Sequence, residues 1–393
     1  MSELKRGWRR VKFGEVVRLG KERCADPAGE GIERYIGLEH LEPGDLRVRS
    51  WGEVADGTTF TTRVRPGHVL FGKRRAYQRK VAVTDFDAVC SGDIYVFESV
   101  DPTKLLPELL PFLCQTDAFF DHAVGTSAGS LSPRTNWTSL AEYEFPLPPL
   151  EEQRRMSSIL ERVRSAIESS DAAARWADTL FRSLRNHRVL EFSSSSARRT
   201  LDELAAHSGI VDGPFGSNLK SEHWTEAGVP VVQSQHITSG KFRITQPYYV
   251  SESTCARLYR SEAKAGDIVM VKKGVNCGAC ALLPDGHPRS LLSSNCMRIR
   301  INASEASPAY VAQFLHWYRE QGTFEGLIGS TQQRATTLRD VRRIAVPVPP
   351  RSMQDGLVDD LQSIEFTALS LRRRHLEAAE IQMLVSRTLS GDA

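Results

Sequence analysis

The densest chemistry in the chain lies between Lys73 and Lys80, where Lys73, Arg74, Arg75, Arg79 and Lys80 surround Tyr77 and Gln78 with no acid among them. A guanidinium pairs bidentately with guanine or phosphate, a glutamine amide matches the edge of adenine, and lysine holds phosphate as a point charge. That combination suits a nucleic-acid duplex; the competing reading is a solvated hairpin. A less charged version recurs as Lys272-Lys-Gly-Val-Asn-Cys-Gly-Ala-Cys280, where Lys272, Lys273 and Asn276 are the candidates. Ser217, Asn218 and Lys220 close the stretch Asp212-Gly-Pro-Phe-Gly-Ser-Asn-Leu-Lys220, whose small donors among glycines suit close approach to phosphate or form an ordinary turn. Gln332, Gln333 and Arg334 are candidates of the same kind, as are Ser127, Ser130 and Arg134 earlier in the chain. Gln233, Gln235 and His236 read rather as structural, because strand alternation lets only one face present its side chains.

Covalent and metal chemistry is not apparent. The chain carries no Asn/Asp-Pro-Pro-Tyr/Phe motif for a flipped base, no phosphate-cradling P-loop and no Gly-rich cofactor loop after a strand. Cys277 and Cys280 form a Cys-x-x-Cys, but Cys255 and Cys296 stand at awkward distances for a zinc ribbon. Small buried residues in a sheet explain the pair more simply than a metal does. His187 and His375 lack ligand partners one helical turn away and receive no role.

The elements that must position these loops are duplicated. Phe145-Pro-Leu-Pro-Pro-Leu-Glu-Glu-Gln153 is echoed by Val346-Pro-Val-Pro-Pro-Arg-Ser-Met-Gln354. Pro347, Pro349, Pro350 and Gln354 stand 201 residues after Pro146, Pro148, Pro149 and Gln153. Each copy closes a strand-rich region and opens a long helical pattern, so one module is present twice. The expected boundaries are a first globular domain over 1–149, a helix over 150–191, a linker over 192–198, a second domain over 199–349 and a second helix over 350–391. Leu160, Val163, Ile167, Ser170, Ala174, Ala177, Phe181 and Leu184 recur at spacings of three and four, a seam for a partner helix. Leu357, Leu361, Ile364, Ala368 and Leu371 continue such a stripe in the second helix, with Met383, Leu384, Val385 and Leu389 nearer its end. Ser352 with Asp355 approximates a capping box, and Phe192-Ser-Ser-Ser-Ser-Ala reads as a break. Within the domains His236 overlays His40, and the loop at Lys272 overlays the one at Lys73. Either helix would span about 55–60 Å, enough to bring two modules to sites a turn of B-DNA apart.

At 393 residues the chain has room for two or three cores. Its net charge of +3 neither argues for nor excludes nucleic acid, so local distribution decides. The charged opening stretch does not resemble a secretory signal, and no apolar run is long enough for a bilayer. Seven scattered cysteines fit a reducing compartment, and the expected location is cytoplasmic, away from membranes.

Pro-x-Pro-Pro-Leu-Glu-Glu-Gln-Arg leading into a long helix, recurring after a second variable domain, resembles the specificity subunits of type I restriction–modification systems. Asp212-Gly-Pro-Phe-Gly-Ser-Asn-Leu-Lys220 followed by Gly228-Val-Pro-Val-Val is similar to the start of a target-recognition domain of that family. The second motif departs from the pattern, with Arg351-Ser-Met-Gln-Asp in place of Leu-Glu-Glu-Gln-Arg. The resemblance implies a mixed α+β fold with two similar target-recognition domains. Two long helices, paired as an antiparallel coiled coil with pseudo-twofold symmetry, separate them. It implies a non-catalytic reader of a bipartite double-stranded DNA site. Two methyltransferase subunits would dock on it, and through them restriction or motor subunits. The chain itself would bind no cofactor; S-adenosylmethionine, ATP and Mg2+ would belong to the partners. Glu151, Glu152, Gln153 and Gln354 are the expected partner-subunit interface. Rival readings are the recognition half of a methyltransferase–endonuclease with an unseen active site, and a coiled-coil scaffold without DNA readout.

Overall fold

Each half of the chain is closed by a two-stranded ribbon that carries the proline motif. Arg9–Lys12 pairs antiparallel with Glu144–Leu147, placing Arg10 opposite Pro146. Arg198–Thr200 pairs with Ala345–Pro347 in the same way, placing Arg198 opposite Pro347. Each strand of such a ribbon has one side without a partner. The bonds from Phe13 N–H to Tyr143 O and from Leu201 N–H to Ile344 O set an alternation that turns both proline nitrogens to that side, so no ladder bond is lost. The computed structural model describes residues 4–214, 218–238, 240–329 and 334–391.

Between ribbon strands, each half builds two larger sheets around matching strands, and the second half adds the small pair Ile237–Thr238 with Lys241–Phe242. The first half has the antiparallel sheet Val17–Leu19, Ile94–Ser99, Val69–Gly72, Val81–Val83. Its second sheet runs Gly52–Glu53, Arg34–Ile36, Ala88–Cys90, Thr62–Val64, with Arg34–Ile36 parallel to Ala88–Cys90. In the second half the counterparts are Ala205–Asp212, Cys296–Ile301, Ile268–Val271, Cys280–Leu282. The other sheet there again holds one parallel pair, Val229–Val232 with Ser290–Leu292. The mixed α+β class and the internal duplication are therefore both present.

The chain divides into two compact units. One comprises residues up to Ala172 together with those from Leu371, and the other is Ala173–Ser370. This cuts across the boundaries expected from sequence, which set the helices apart from the domains. The apolar stripes of the helices complete the cores of the units instead. In the first unit Phe13, Phe71, Phe97, Phe119, Phe120, Tyr143 and Phe145 pack with Met156 and Leu160 of the first long helix and Leu389 of the second. His375 lies 2.9 Å from Asp171, and Pro146 sits beside Gly391, so the two helices run antiparallel within this unit. In the second unit Val189, Phe192, Leu357, Val358 and Leu361 join Ile268, Met270, Tyr310, Phe314 and Phe324.

The long helices are Leu150–Ser195 and Arg351–Ser390. The expected linker over 192–198 is corrected at its start. The Ser194 and Ser195 hydroxyls each donate to Glu191 O at 2.8 Å, within the helix, and Phe192 is buried rather than a break. The Ser352 capping expectation is also corrected. Arg351 is already helical and its Nε lies 2.9 Å from both Asp355 carboxylate oxygens. Every residue of the first seam is buried or half-buried, whereas Met383 and Leu384 of the second stripe face outward. His375, given no role from sequence, contacts Asp171 as described.

Candidate nucleic-acid interface

The loop following Val69–Gly72 is laced by backbone hydrogen bonds to the segment before a short capped helix. Lys73 N–H donates to Asp93 O at 3.0 Å, Arg75 N–H to Pro133 O at 2.7 Å, and Thr135 N–H to Lys73 O at 3.0 Å. The Asn136 side chain then accepts from Ser139 N–H and caps the helix Trp137–Ala141. The second unit repeats this cradle. Lys272 N–H donates to Asn295 O at 2.8 Å, Gly274 N–H to Arg334 O at 2.9 Å and Thr336 N–H to Lys272 O at 2.9 Å. There the Thr337 side chain caps Leu338–Arg342. Two candidate loops from each half, distant in sequence, are thus brought side by side.

The side chains on the two cradles differ. In the first unit Asp93 receives Arg134 Nε at 2.9 Å and Arg74 Nη1 at 3.3 Å. Burial alone would push the Asp93 carboxyl up, but the hydrogen bonds and charges of Arg134 and Arg74 outweigh it and hold the carboxyl below its ordinary value. The same contact raises Arg134. Ser132 Oγ lies 3.2 Å from Arg74 Nη2 and 3.4 Å from Arg75 Nη2. The Arg79 guanidinium stacks 4.7 Å from the Phe120 ring and reaches Asp117 at 2.5 Å. Lys80 Nζ donates to Leu38 O at 2.7 Å, and Lys73 Nζ lies 4.6 Å over the Tyr95 ring. So the apparently acid-free run has its acids brought from elsewhere. Arg74, Arg79 and Lys80 partly hold the loop together; Arg75 and Tyr77 are exposed, with Gln78 half-buried between them and Arg79.

Arg75 and Arg79 both have φ of +56°, flanking the single 3-10 turn Ala76–Gln78. Each left-handed arginine costs about 1–2 kcal/mol, and the cation–π and ion-pair contacts of Arg79 help to hold it there. Leu131, next to the Ser132 that meets Arg74 and Arg75, is 90 % exposed. The cradle therefore presents a guanidinium, a phenol and an aliphatic side chain to solvent, able to pair with phosphate, stack on a base and press on a groove.

In the second unit Lys272 Nζ pairs with Asp212 at 2.9 Å, and Arg334 Nη2 reaches both Glu325 oxygens at 2.6 Å. Lys273, Val275 and Asn276 are exposed at the tip. Lys220 is exposed near Glu222, and Asn218 O accepts from Arg257 Nη2 at 3.3 Å. Ser217, Gln332 and Gln333 lie outside the described residues. His236 is buried, its Nδ1 accepting Gln233 N–H at 3.2 Å, as His40 Nδ1 accepts Gly37 N–H at 3.0 Å. Cys277 and Cys280 pack in the second core, where burial raises Cys277 and pushes Cys280 up to about 12.

The expected partner interface is revised at two positions. Gln153 and Gln354 are buried, and their amides are used inside their own units rather than offered outward. Glu152 accepts the Trp8 indole N–H at 2.8 Å, and Glu151 is exposed. Asp93 was not anticipated; the only sequence cue is that Ser91-Gly-Asp93 aligns with Ser293-Ser-Asn295 across the duplication.

Residues 5–173 match the family model of the type I restriction modification DNA specificity domain. The first half is therefore similar to a type I DNA specificity domain. An Escherichia coli relative, the type I restriction enzyme EcoDI specificity subunit, is 27% identical over 172 residues, 42% of this chain and 36% of the relative. The chain thus matches little more than a third of that relative's length. Among solved structures, the S subunit of a type I restriction–modification system from M. genitalium has a TM-score of 0.63 at 13% identity, covering 99% of this chain and 97% of the other. A chain from a study of complex assembly and conformational transition of the type I R-M system gives 0.57 at 19% identity with 100% of both covered. The resemblance of the chain to type I specificity subunits holds, and over its whole length it has their fold. Among the described residues no helix is long and apolar enough to cross a membrane.

Proposed function

We propose that the chain is the DNA-reading subunit of a type I restriction–modification complex, each unit contacting one part of a split duplex site. The observation that carries this reading is the duplicated cradle. One backbone frame is built twice, and the side chains mounted on it differ, as two recognition elements for two different sequences require. Lys73–Lys80 and Arg134 would serve one half-site. Lys272, Lys273, Asn276 and Arg334, with Asn218 and Lys220, would serve the other. Phosphate contacts position and base contacts specify.

Methylation and cleavage would belong to partners. Exposed apolar residues on the long helices, Trp176, Leu180 and Phe366 in one unit and Leu376, Met383 and Leu384 in the other, support docking of two methyltransferase subunits, with Glu151 at the edge of one contact. S-adenosylmethionine would be held by those subunits, and ATP and Mg2+ by a restriction subunit. The test is adenine-methylation mapping with the purified chain, alone and with an adenine methyltransferase partner. The expected result is no methylation by the chain alone and methylation at one bipartite sequence with the partner. Methylation by the chain alone with S-adenosylmethionine overturns the reading.

A further inference from the structure

Gln153 lies in the first turn of the first long helix, where a glutamine ordinarily faces water, yet its side chain is only 1% exposed. Three of its four hydrogen-bonding positions are used. Oε1 accepts Leu106 N–H at 2.9 Å, and Nε2 donates to Lys104 O and Pro148 O, both at 2.8 Å. Gln354 repeats the arrangement at the second long helix. Oε1 accepts Ser307 N–H at 2.8 Å and Nε2 donates to Pro349 O at 2.8 Å. Ser307, Pro349 and Gln354 stand 201 residues after Leu106, Pro148 and Gln153, so the same three positions meet in both halves. One planar amide joins a turn of the globular part to the carbonyl that precedes the helix. A planar group bonded in opposite directions resists rotation of either attachment about it.

We propose that Gln153 and Gln354 are positioning residues that fix the direction in which each globular part leaves its long helix, and so contribute to the spacer length at which a split DNA site is accepted. This rests on the recognition reading above. The residues touch no DNA themselves; they act through the elements they clasp. The two clasps are unequal, with three bonds at Gln153 and two at Gln354, so the first is the stiffer.

The experiment uses the full chain with its methyltransferase partner and duplexes in which the spacer of the preferred site is lengthened or shortened by one base pair. Its readout is the ratio of methylation rates at the preferred and altered spacers. Gln153→Met keeps the volume but leaves Leu106 N–H, Lys104 O and Pro148 O unpaired. It is expected to lower that ratio about tenfold, with Gln354→Met lowering it less. Gln153→Glu, its carboxyl protonated in this buried place, keeps the acceptor and one of the two donors, and falls between wild type and Gln153→Met; it remains the measure if the methionine variant does not fold. Leu140→Ala cuts the core of the same unit without touching the amide, and should lower Tm while leaving the ratio unchanged. An unchanged ratio in the glutamine variants overturns the proposal, as does an equal fall in Leu140→Ala. Wild type with no spacer preference overturns the recognition reading and the proposal with it, which separates the two failures.

Discussion

The cradle around Asp93 and the cradle around Asn295 share a backbone and differ in one atom of charge. In the first unit a carboxylate gathers Arg74 and Arg134 from two loops into one cluster. In the second an amide stands at that place and the positions matching Arg74 and Arg134 are Lys273, which is exposed, and Ala335, while Lys272 pairs with Asp212 and Arg334 with Glu325. The frame is thus kept by backbone hydrogen bonds, which are indifferent to side chains, while the pairing of cations is set locally by which acid is near. Divergence in what is presented costs the fold little, because the ladder that carries it does not depend on those side chains.

The largest expected effect tests whether the two halves are separate cores. Phe119→Ala removes a fully buried ring from the first unit and should cost about 3–5 kcal/mol. Hydrogen exchange would show the loss in amides of that unit, and an equal loss throughout Ala173–Ser370 would deny the separation. Next comes DNA affinity. Arg75→Ala with Tyr77→Ala should weaken binding about tenfold or more, and Lys273→Ala about threefold, each with a shallower salt dependence in titrations. A larger effect at Lys273 would reverse the ranking of the two cradles.

Asp93→Asn makes the first cradle like the second and should lower Tm less than Phe119→Ala does. Asp93 is held below the ordinary carboxylate value when folded. Its contribution is therefore complete above about pH 4, the unfolded value, and is lost as pH falls through the lower folded value. Melting curves down to about pH 2 should show this acid-dependent component in wild type and not in Asp93→Asn. The smallest effect belongs to the reciprocal Asn295→Asp. The position matching Arg74 carries the exposed Lys273, so the new carboxylate gains at most an exposed ion pair and should change Tm by a degree or less. A large rise would mean that the second cradle is held by charge after all.

The sequence made the duplication, the long helices and the seam legible because each is a periodic or repeated pattern. Leu160 through Leu184 could be placed on one face from spacing alone. It misled where a local preference met a tertiary demand. The serine run after Phe192 looked like a linker, yet the core needs the phenylalanine and the serines bond back within the helix. Gln153 and Gln354 looked like surface glutamines because nothing nearby in sequence announces Leu106 or Ser307, each 47 residues away. The run Lys73–Lys80 looked wholly cationic because Asp93 and Asp117 enter through folding, not through sequence proximity.

Leu389 in the core of the first unit has a consequence for the order of assembly. The second unit is one continuous stretch, Ala173–Ser370, and all of its parts have been synthesised once Ser370 is made. The first unit must wait for residues beyond Leu371 before Met156 and Leu160 are covered, so its core is the first begun and the last closed. A chain cut between Ser370 and Leu389 would hold one unit complete and one still open along its helix.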